Sequence, residues 1–101
     1  MTDASTPKAY VINEIVVSDP DSYAEYARLA KPTVEAFGGR YIVRGGNGEA
    51  IVGEPPAARI VVLEFPSRQA ALGWRDSPEY QTVLTIREAA STSRVYVVDG
   101  V

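Results

Sequence analysis

Apolar residues along the chain fall into short runs rich in valine and isoleucine, separated by longer segments in which apolar positions recur every three or four residues. Short β-branched runs are typical of strands, and the longer spacing is typical of helices that bury one face. The pattern predicts one helical region after the first run and another before the last. It predicts strands at residues 10–17, 40–44, 60–63 and 94–99, with a short return strand at 49–53.

The run at residues 60–63 is unbroken and mostly β-branched, which predicts a central strand with both faces buried. Pro66 cannot donate a hydrogen bond to a sheet and ends the strand, while Ser67 is suited to cap the next helix. That helix carries Trp74. Because residues 77–78 repeat the helix-start signal, we expect two helical segments with a jog between them.

The first helix has start and stop signals at both ends. Residues 18–21 supply a capping side chain, a proline suited to the first turn and an acidic residue, so they predict its start. Pro32 lies inside the helical pattern and predicts a kink or a break near Ala30. Gly38 and Gly39 then end the helix, because glycine adopts the left-handed conformation at little cost.

The glycine-rich segment at residues 45–48 has the composition of a tight hairpin turn. We predict that it joins the strand at 40–44 to the return strand at 49–53. It is superficially similar to a phosphate loop, but no helix follows it to hold an anion. We therefore interpret it as a turn, followed by a surface connection at residues 54–56.

The predicted order of elements is the ferredoxin-like βαββαβ plan of the α+β class, with a four-stranded antiparallel sheet and helices on one face. Within the first strand, Asn13 and Glu14 point to opposite faces because side chains alternate. Helices on one side cover only one face of a sheet that is apolar on both, so a monomer would expose a large apolar patch. We therefore predict a two-fold homodimer whose sheets pack together as a dimeric α/β barrel.

Composition narrows the classes of function that the chain can serve. The 101 residues include no cysteine and no histidine, which excludes disulfides, thiolate zinc sites and serine nucleophiles activated by histidine. The net charge is −3 and the basic residues are scattered, so we expect no nucleic-acid partner. Neither a membrane span nor a signal peptide is visible, so we expect a cytoplasmic protein without a membrane partner. We expect a disordered tail at residues 1–7, one domain at 8–101 and no cofactor.

A combination of short motifs is more specific than any one of them. The motifs are residues 38–41, 43–46, 64–67 and 77–81, together with Ala71, Trp74 and Arg87. Over residues 10–99 this combination closely resembles the bacterial domain-of-unknown-function family thirteen-thirty (DUF1330). The resemblance implies a dimeric α/β barrel, the fold shared by antibiotic-biosynthesis monooxygenases, muconolactone isomerases and chlorite-dismutase-like proteins, and no established reaction. Haem-binding relatives use histidine, which this chain lacks.

The cleft between the sheet and the helices is the natural small-molecule site in such a fold, because it is concave and mostly apolar with a few polar groups. We predict that Glu64 and Arg87 are catalytic residues there. The predicted ligand-binding residues are Asn13, Tyr26, Arg44, Trp74 and Tyr80.

Each charged candidate has two interpretations. Glu64 shares a strand face with Ile60 and Val62, so desolvation would raise its pKa and suit it to proton transfer. The alternative is an ion pair with Arg44 or Arg87 that joins strand to helix. Arg87 could bind a carboxylate or enolate at the mouth of the cleft, or lie on the surface. Arg44 could meet a ligand beside its glycine neighbours, or pair across the hairpin.

The uncharged candidates also have two interpretations. Tyr26 and Tyr80 could orient a ligand through their hydroxyls or belong to the core, and Trp74 is a core residue or a pocket wall that needs one hydrogen-bond acceptor. Asn13 could polarise a carbonyl if it faces the helices, or bond to backbone.

Two hypotheses of function follow. In the first, a small homodimer binds an organic acid or aromatic metabolite in the cleft and catalyses a cofactor-free isomerisation or a monooxygenase-like reaction. In the second, the chain is a non-catalytic dimeric module in which Glu64, Arg44 and Arg87 form a closed ion network. A cavity connected to solvent at these residues favours the first hypothesis, and a filled interior favours the second.

Overall fold

The computed structural model describes residues 6–56 and 59–101. The predicted tail at residues 1–7 falls mostly outside these ranges. The elements in chain order are β1 (Ala9–Val17), α1 (Pro20–Ala36), β2 (Arg40–Gly46), β3 (Arg59–Phe65), α2 (Arg68–Asp76), α3 (Pro78–Ala90) and β4 (Ser91–Asp99). The predicted order of strands and helices is therefore confirmed, and so is the split of the second helical region.

The strands form one four-stranded antiparallel sheet in the order β2-β3-β1-β4. This confirms the ferredoxin-like α+β prediction. Asn13 of β1 stands opposite Val61 of β3 and Val95 of β4. The last strand begins at Ser91, earlier than predicted, because Ser91 already pairs with Val17 at the end of β1.

The helices pack against one face of the sheet, called the inner face here. Its buried positions in the central strands are Val11, Asn13, Ile15, Val61, Leu63 and Phe65. From the helices, buried aromatic and aliphatic side chains complete the core: Tyr23, Tyr26, Ala30, Val34, Ala71, Trp74, Tyr80 and Val83. Hydrophobic burial on this face alone accounts for the position of all the helices.

Side-chain caps begin each helix as predicted. The Asp19 carboxylate accepts a hydrogen bond from the Ser22 backbone N–H at 3.2 Å, and this bond lowers the pKa of the Asp19 carboxyl. Ser67 accepts from Ala70 N–H at 3.0 Å. Each cap satisfies one of the backbone donors that a helix start leaves unpaired.

Of the kink or break predicted near Ala30, the break does not occur: α1 continues through Pro32 to Ala36. A proline inside a helix removes one backbone hydrogen bond. On either side of it, Ala30 and Val34 are completely buried against the core. We attribute the continuous helix to this packing, which outweighs the lost bond.

The predicted hairpin at residues 45–48 and return strand at 49–53 are wrong. Strand β2 runs on to Gly46 and pairs directly with β3, from Arg40 opposite Glu64 to Gly46 opposite Ile60. Residues 47–56 contain no strand. Ile51 in this segment is 91% exposed, and β2 remains an edge strand of the four-stranded sheet.

The second face of the sheet, called the outer face here, alternates with the inner one along each strand. Its central positions Ile12, Ile60 and Val62 are half-buried without any helix above them. Val16 and Val98 on the same face are 56% and 44% exposed. The outer face therefore has an apolar centre, as the sequence predicts, flanked by the ion pairs of Glu64 with Arg40 and of Glu14 with Arg94.

Candidate functional site

A small cavity of about 30 Å³ lies between the inner face and the helices. Its lining includes every predicted site residue except Glu64: Asn13, Tyr26, Arg44, Trp74, Tyr80 and Arg87. A cavity of this size has room for one or two water molecules. The strands and helices thus bring together in space residues that are far apart in the sequence.

Glu64 was predicted to lie in the cleft, but its side chain lies on the outer face of the sheet. Its carboxylate accepts a hydrogen bond from Arg40 at 2.9 Å and lies 3.5 Å from the Lys8 ammonium. The bond from Arg40 is the main cause that lowers the pKa of the Glu64 carboxyl, opposite to the predicted direction. Glu64 is paired, but with Arg40 and Lys8 rather than with Arg44 or Arg87.

Aromatic side chains form one wall of the cavity. The hydroxyls of Tyr26 and Tyr80 lie 2.8 Å apart, and the rings of Trp74 and Tyr80 pack with their centres 4.1 Å apart. The Trp74 indole N–H donates to the Thr33 hydroxyl at 3.0 Å, which supplies the acceptor that it needs. Burial raises the pKa of Tyr26 well above its ordinary value, so this phenol stays protonated at neutral pH.

Arginine side chains supply the positive charge around the cavity. Arg44, Arg59 and Arg87 line it, and its described lining includes no carboxylate. Nor does any of these arginines form an ion pair within residues 6–56 and 59–101. Guanidinium groups stay charged in proteins, so this cavity is electropositive.

Arg59 is a site residue that the sequence analysis missed. Its guanidinium carbon lies 5.3 Å from the centre of the Tyr23 ring, in cation–π geometry. A Cβ atom added at Gly45 would lie 2.6 Å from the same carbon, so this glycine leaves space for the side chain. The sequence did contain a signal that could have identified Arg59. Because side chains alternate along a strand, position 59 lies on the same face as Val61 and Leu63.

Among the described residues, those with a buried side-chain polar atom that lacks a hydrogen-bond partner all line this cavity. The atoms are Asn13 Oδ1, Arg59 Nε and Arg87 Nε. Asn13 faces the helices and is only 8% exposed. Buried polar atoms are normally paired, and leaving one unpaired costs about 1–3 kcal/mol. Unpaired atoms concentrated at one cavity therefore indicate a place for a polar molecule.

Two open depressions flank the cavity. One, of about 560 Å³, shares Tyr23, Arg44 and Arg59 with it. The other, of about 340 Å³, shares Trp74 and Arg87 with it. The cavity thus shares lining arginines with both depressions. Movement of these long side chains would join the three spaces into one cleft.

Two further features bear on the kind of site. Within the described parts of the chain, no group of acidic, histidine or cysteine side chains is arranged to hold a metal ion. In the same parts, none of the helices has the length and apolar character needed to cross a membrane.

Comparisons with known proteins agree with the fold. Residues 8–101 match the sequence profile of DUF1330, described as a domain of unknown function. No match was found among curated proteins. Among solved structures, a protein of unknown function from Rhodopseudomonas palustris is 22% identical, with a TM-score of 0.77 over 94% of this chain and 83% of its own.

More distant structures share the fold. SnoaB, a cofactor-independent oxygenase from Streptomyces nogalater, is 12% identical, with a TM-score of 0.63 over 95% of each chain. A dimeric protein of unknown function with a ferredoxin-like fold from Bacteroides fragilis is also 12% identical. Its TM-score is 0.54 over 92% of this chain and 96% of its own. At these identities the likeness is one of fold alone.

Proposed function

The chain belongs to the DUF1330 family, which carries no assigned activity, and from its own cleft we propose that it binds a small organic acid or aromatic metabolite as the anion. The observation that supports this proposal is the group of three arginines without a carboxylate partner around one enclosed space. Arg44 is exposed and Arg59 and Arg87 are half-buried, so water still reaches part of their guanidinium groups. The cost of an unpaired polar group falls on the buried Nε atoms of Arg59 and Arg87. An anionic ligand would supply the missing partner.

Arg87 has the most direct role in the proposal. Its side chain lines the cavity and its Nε is buried and unpaired, so movement of the side chain would let it donate to a carboxylate or enolate oxygen. Arg44 and Arg59 add positive charge from the opposite wall. Trp74 and Tyr80 provide flat apolar surface for an organic ligand, and the Tyr26–Tyr80 pair has one hydroxyl hydrogen left to donate.

The reaction class that suits this site is a cofactor-free isomerisation or oxygenation of an acidic substrate. Arginine stabilises the negative charge of an enolate or phenolate, which is the electrostatic part of such reactions. With Glu64 on the outer face, no carboxylate in the described lining could take a proton, and burial raises the pKa of Tyr26, which keeps that phenol protonated. An isomerisation would therefore lack a residue to move its proton. The site better suits an oxygenation in which the substrate enters already ionised, molecular oxygen is the oxidant, and the cleft binds and stabilises the anion.

Ligand access requires the cleft to open. A space of about 30 Å³ is far smaller than the several hundred Å³ of an ordinary ligand site. In the proposal, Arg44 and Arg59 on one side, or Arg87 on the other, swing toward the ligand. The enclosed space then merges with a neighbouring depression.

Homodimerisation through the outer face is part of the proposal. This face carries half-buried Ile12, Ile60 and Val62 together with exposed valines. Pairing with a second copy would bury about 800 Å² per partner in a standard interface. Sedimentation of the full chain at micromolar concentration tests it, and a species of 10.9 kDa alone would contradict it.

A non-catalytic dimeric module is the second candidate, and the small volume of the cavity favours it. The closed ion network predicted for such a module does not form. Glu64 lies on the outer face with Arg40, while Arg44 and Arg87 line the cavity on the other side of the sheet.

Thermal unfolding with a library of small organic acids distinguishes these candidates. A ligand at one hundred times its Kd stabilises the folded state by about 2.7 kcal/mol, which raises the Tm. We expect hits for the wild-type chain that are lost in Arg87→Leu. The matched control is Arg68→Ala, because Arg68 pairs with Asp99 on the surface away from the cavity. An absence of hits across the acids would favour the non-catalytic module.

A further inference from the structure

The unpaired atoms of the residues around the cavity indicate which hydrogen-bonding groups a ligand needs, in addition to its charge. Arg59 Nε and Arg87 Nε are hydrogen-bond donors, so they require acceptor atoms on a ligand. Asn13 Oδ1 is an acceptor, so it requires a donor. A simple carboxylate or enolate has acceptors only. It would satisfy the arginines and leave the amide oxygen of Asn13 unpaired.

The positive charge around the cavity favours the orientation of Asn13 in which its amide oxygen, rather than its amide nitrogen, faces this space. Arg44, Arg59 and Arg87 make the space positive, and the carbonyl end of an amide is the negative end of its dipole. The residue is buried at the centre of the sheet, between Val61 and Val95 on the neighbouring strands. Solvent therefore has little access to it.

We propose that the ligand is a hydroxy acid, whose acidic group accepts hydrogen bonds from Arg59 and Arg87 and whose hydroxyl donates to Asn13 Oδ1. The inference rests on the proposed function and adds the chemical class of the ligand. A hydroxyl beside a carboxylate meets both kinds of unpaired atom within one small organic anion. Such small molecules also suit an enclosed space that is only about 30 Å³ before the cleft opens.

The hydroxyl provides discrimination as well as binding. A ligand without it would leave a buried acceptor unpaired, which weakens binding, whereas a ligand that carries it leaves none. Replacement of Asn13 by leucine, which has a similar size and no polar atom, removes the acceptor. It also removes the need for a donor on the ligand.

Matched pairs of acids that differ by one hydroxyl test the inference. The probes are lactate against propionate and mandelate against phenylacetate, titrated into the full chain by calorimetry. For the wild type we expect the hydroxy acid of at least one pair to bind about tenfold tighter or more. In Asn13→Leu we expect the preference to disappear, so that the two acids of the pair bind with equal affinity. Arg68→Ala serves as the control and should retain the wild-type preference.

The outcomes separate this inference from the proposed function. If acids bind and Arg87→Leu abolishes binding, but the hydroxyl makes no difference, the inference is wrong and the anion site stands. If the hydroxyl preference survives in Asn13→Leu, the assignment to Asn13 is wrong. If no acid of either pair binds, both proposals fail and water alone fills the cavity. The wild-type comparison decides the ligand class even when Asn13→Leu does not fold.

Discussion

The phenol oxygens of Tyr26 and Tyr80 lie 2.8 Å apart, where α1 meets α3 beside the arginine-lined cavity. Both residues are buried, at 7% and 2% exposure. This bond joins helices that are more than fifty positions apart in the sequence, and it gives the cavity one rigid wall.

We predict that Tyr26→Phe lowers the free energy of unfolding by about 1–2 kcal/mol, because it leaves the Tyr80 hydroxyl buried without its partner. The double variant with Tyr80→Phe should cost less than the sum of the two single changes, since it leaves no unpaired hydroxyl. Urea unfolding of the four proteins gives the coupling directly. Additive effects would show that the two hydroxyls do not interact.

The ion pair of Glu64 with Arg40 predicts a dependence of stability on pH. The pKa of Glu64 is lowered in the folded state, chiefly by the bond from Arg40, so its contribution is complete above the unfolded-state pKa of about 4.3. That contribution is lost as the pH falls through the folded-state pKa. We expect the Tm difference between wild type and Glu64→Gln to be larger at pH 7 than at pH 3. A difference that is constant over this range would contradict the pairing.

Two glycines provide a matched test of the packing. A Cβ atom at Gly39 would lie 2.6 Å from the Phe65 ring and 2.7 Å from Val34, both fully buried. We predict that Gly39→Ala lowers the free energy of unfolding by about 1–3 kcal/mol through overpacking. At Gly73, inside α2, the nearest atom would be 3.4 Å away. There Gly73→Ala should stabilise the protein by about 0.5–1 kcal/mol, so equal effects at both positions would refute this account.

Local signals in the sequence identify most of the fold. Capping at Asp19, Ser67 and Ser77, and the turn glycine at position 38, depend on residues within one helical turn, so sequence reasoning finds them. The predicted hairpin was wrong because β2 runs on through Gly45 to Gly46 and pairs there with β3, a strand that lies outside any local window. Its register with β2 is set by long-range pairing.

The candidate site was also predicted only in part, because local sequence patterns do not show which face of the sheet the helices cover. Alternation correctly groups Glu64 with Ile60 and Val62, but both faces of β3 are apolar, so the pattern does not say which face the helices cover. The helices cover the face of Phe65, which places Arg59 at the cavity and Glu64 outside it. The sequence analysis missed Arg59 because an arginine at the start of a strand usually points into solvent.

The central claim is that the arginine-lined space is an anion site, and the fluorescence of Trp74 tests it most directly. Trp74 is the only tryptophan in the chain and lines the cavity. Titration of the wild-type chain with small organic acids, at constant ionic strength, should change its emission in a saturable way. Arg87→Leu should abolish the change and Arg68→Ala should retain it. A wild-type emission that no acid alters, or a response that is the same in Arg87→Leu, would contradict the claim.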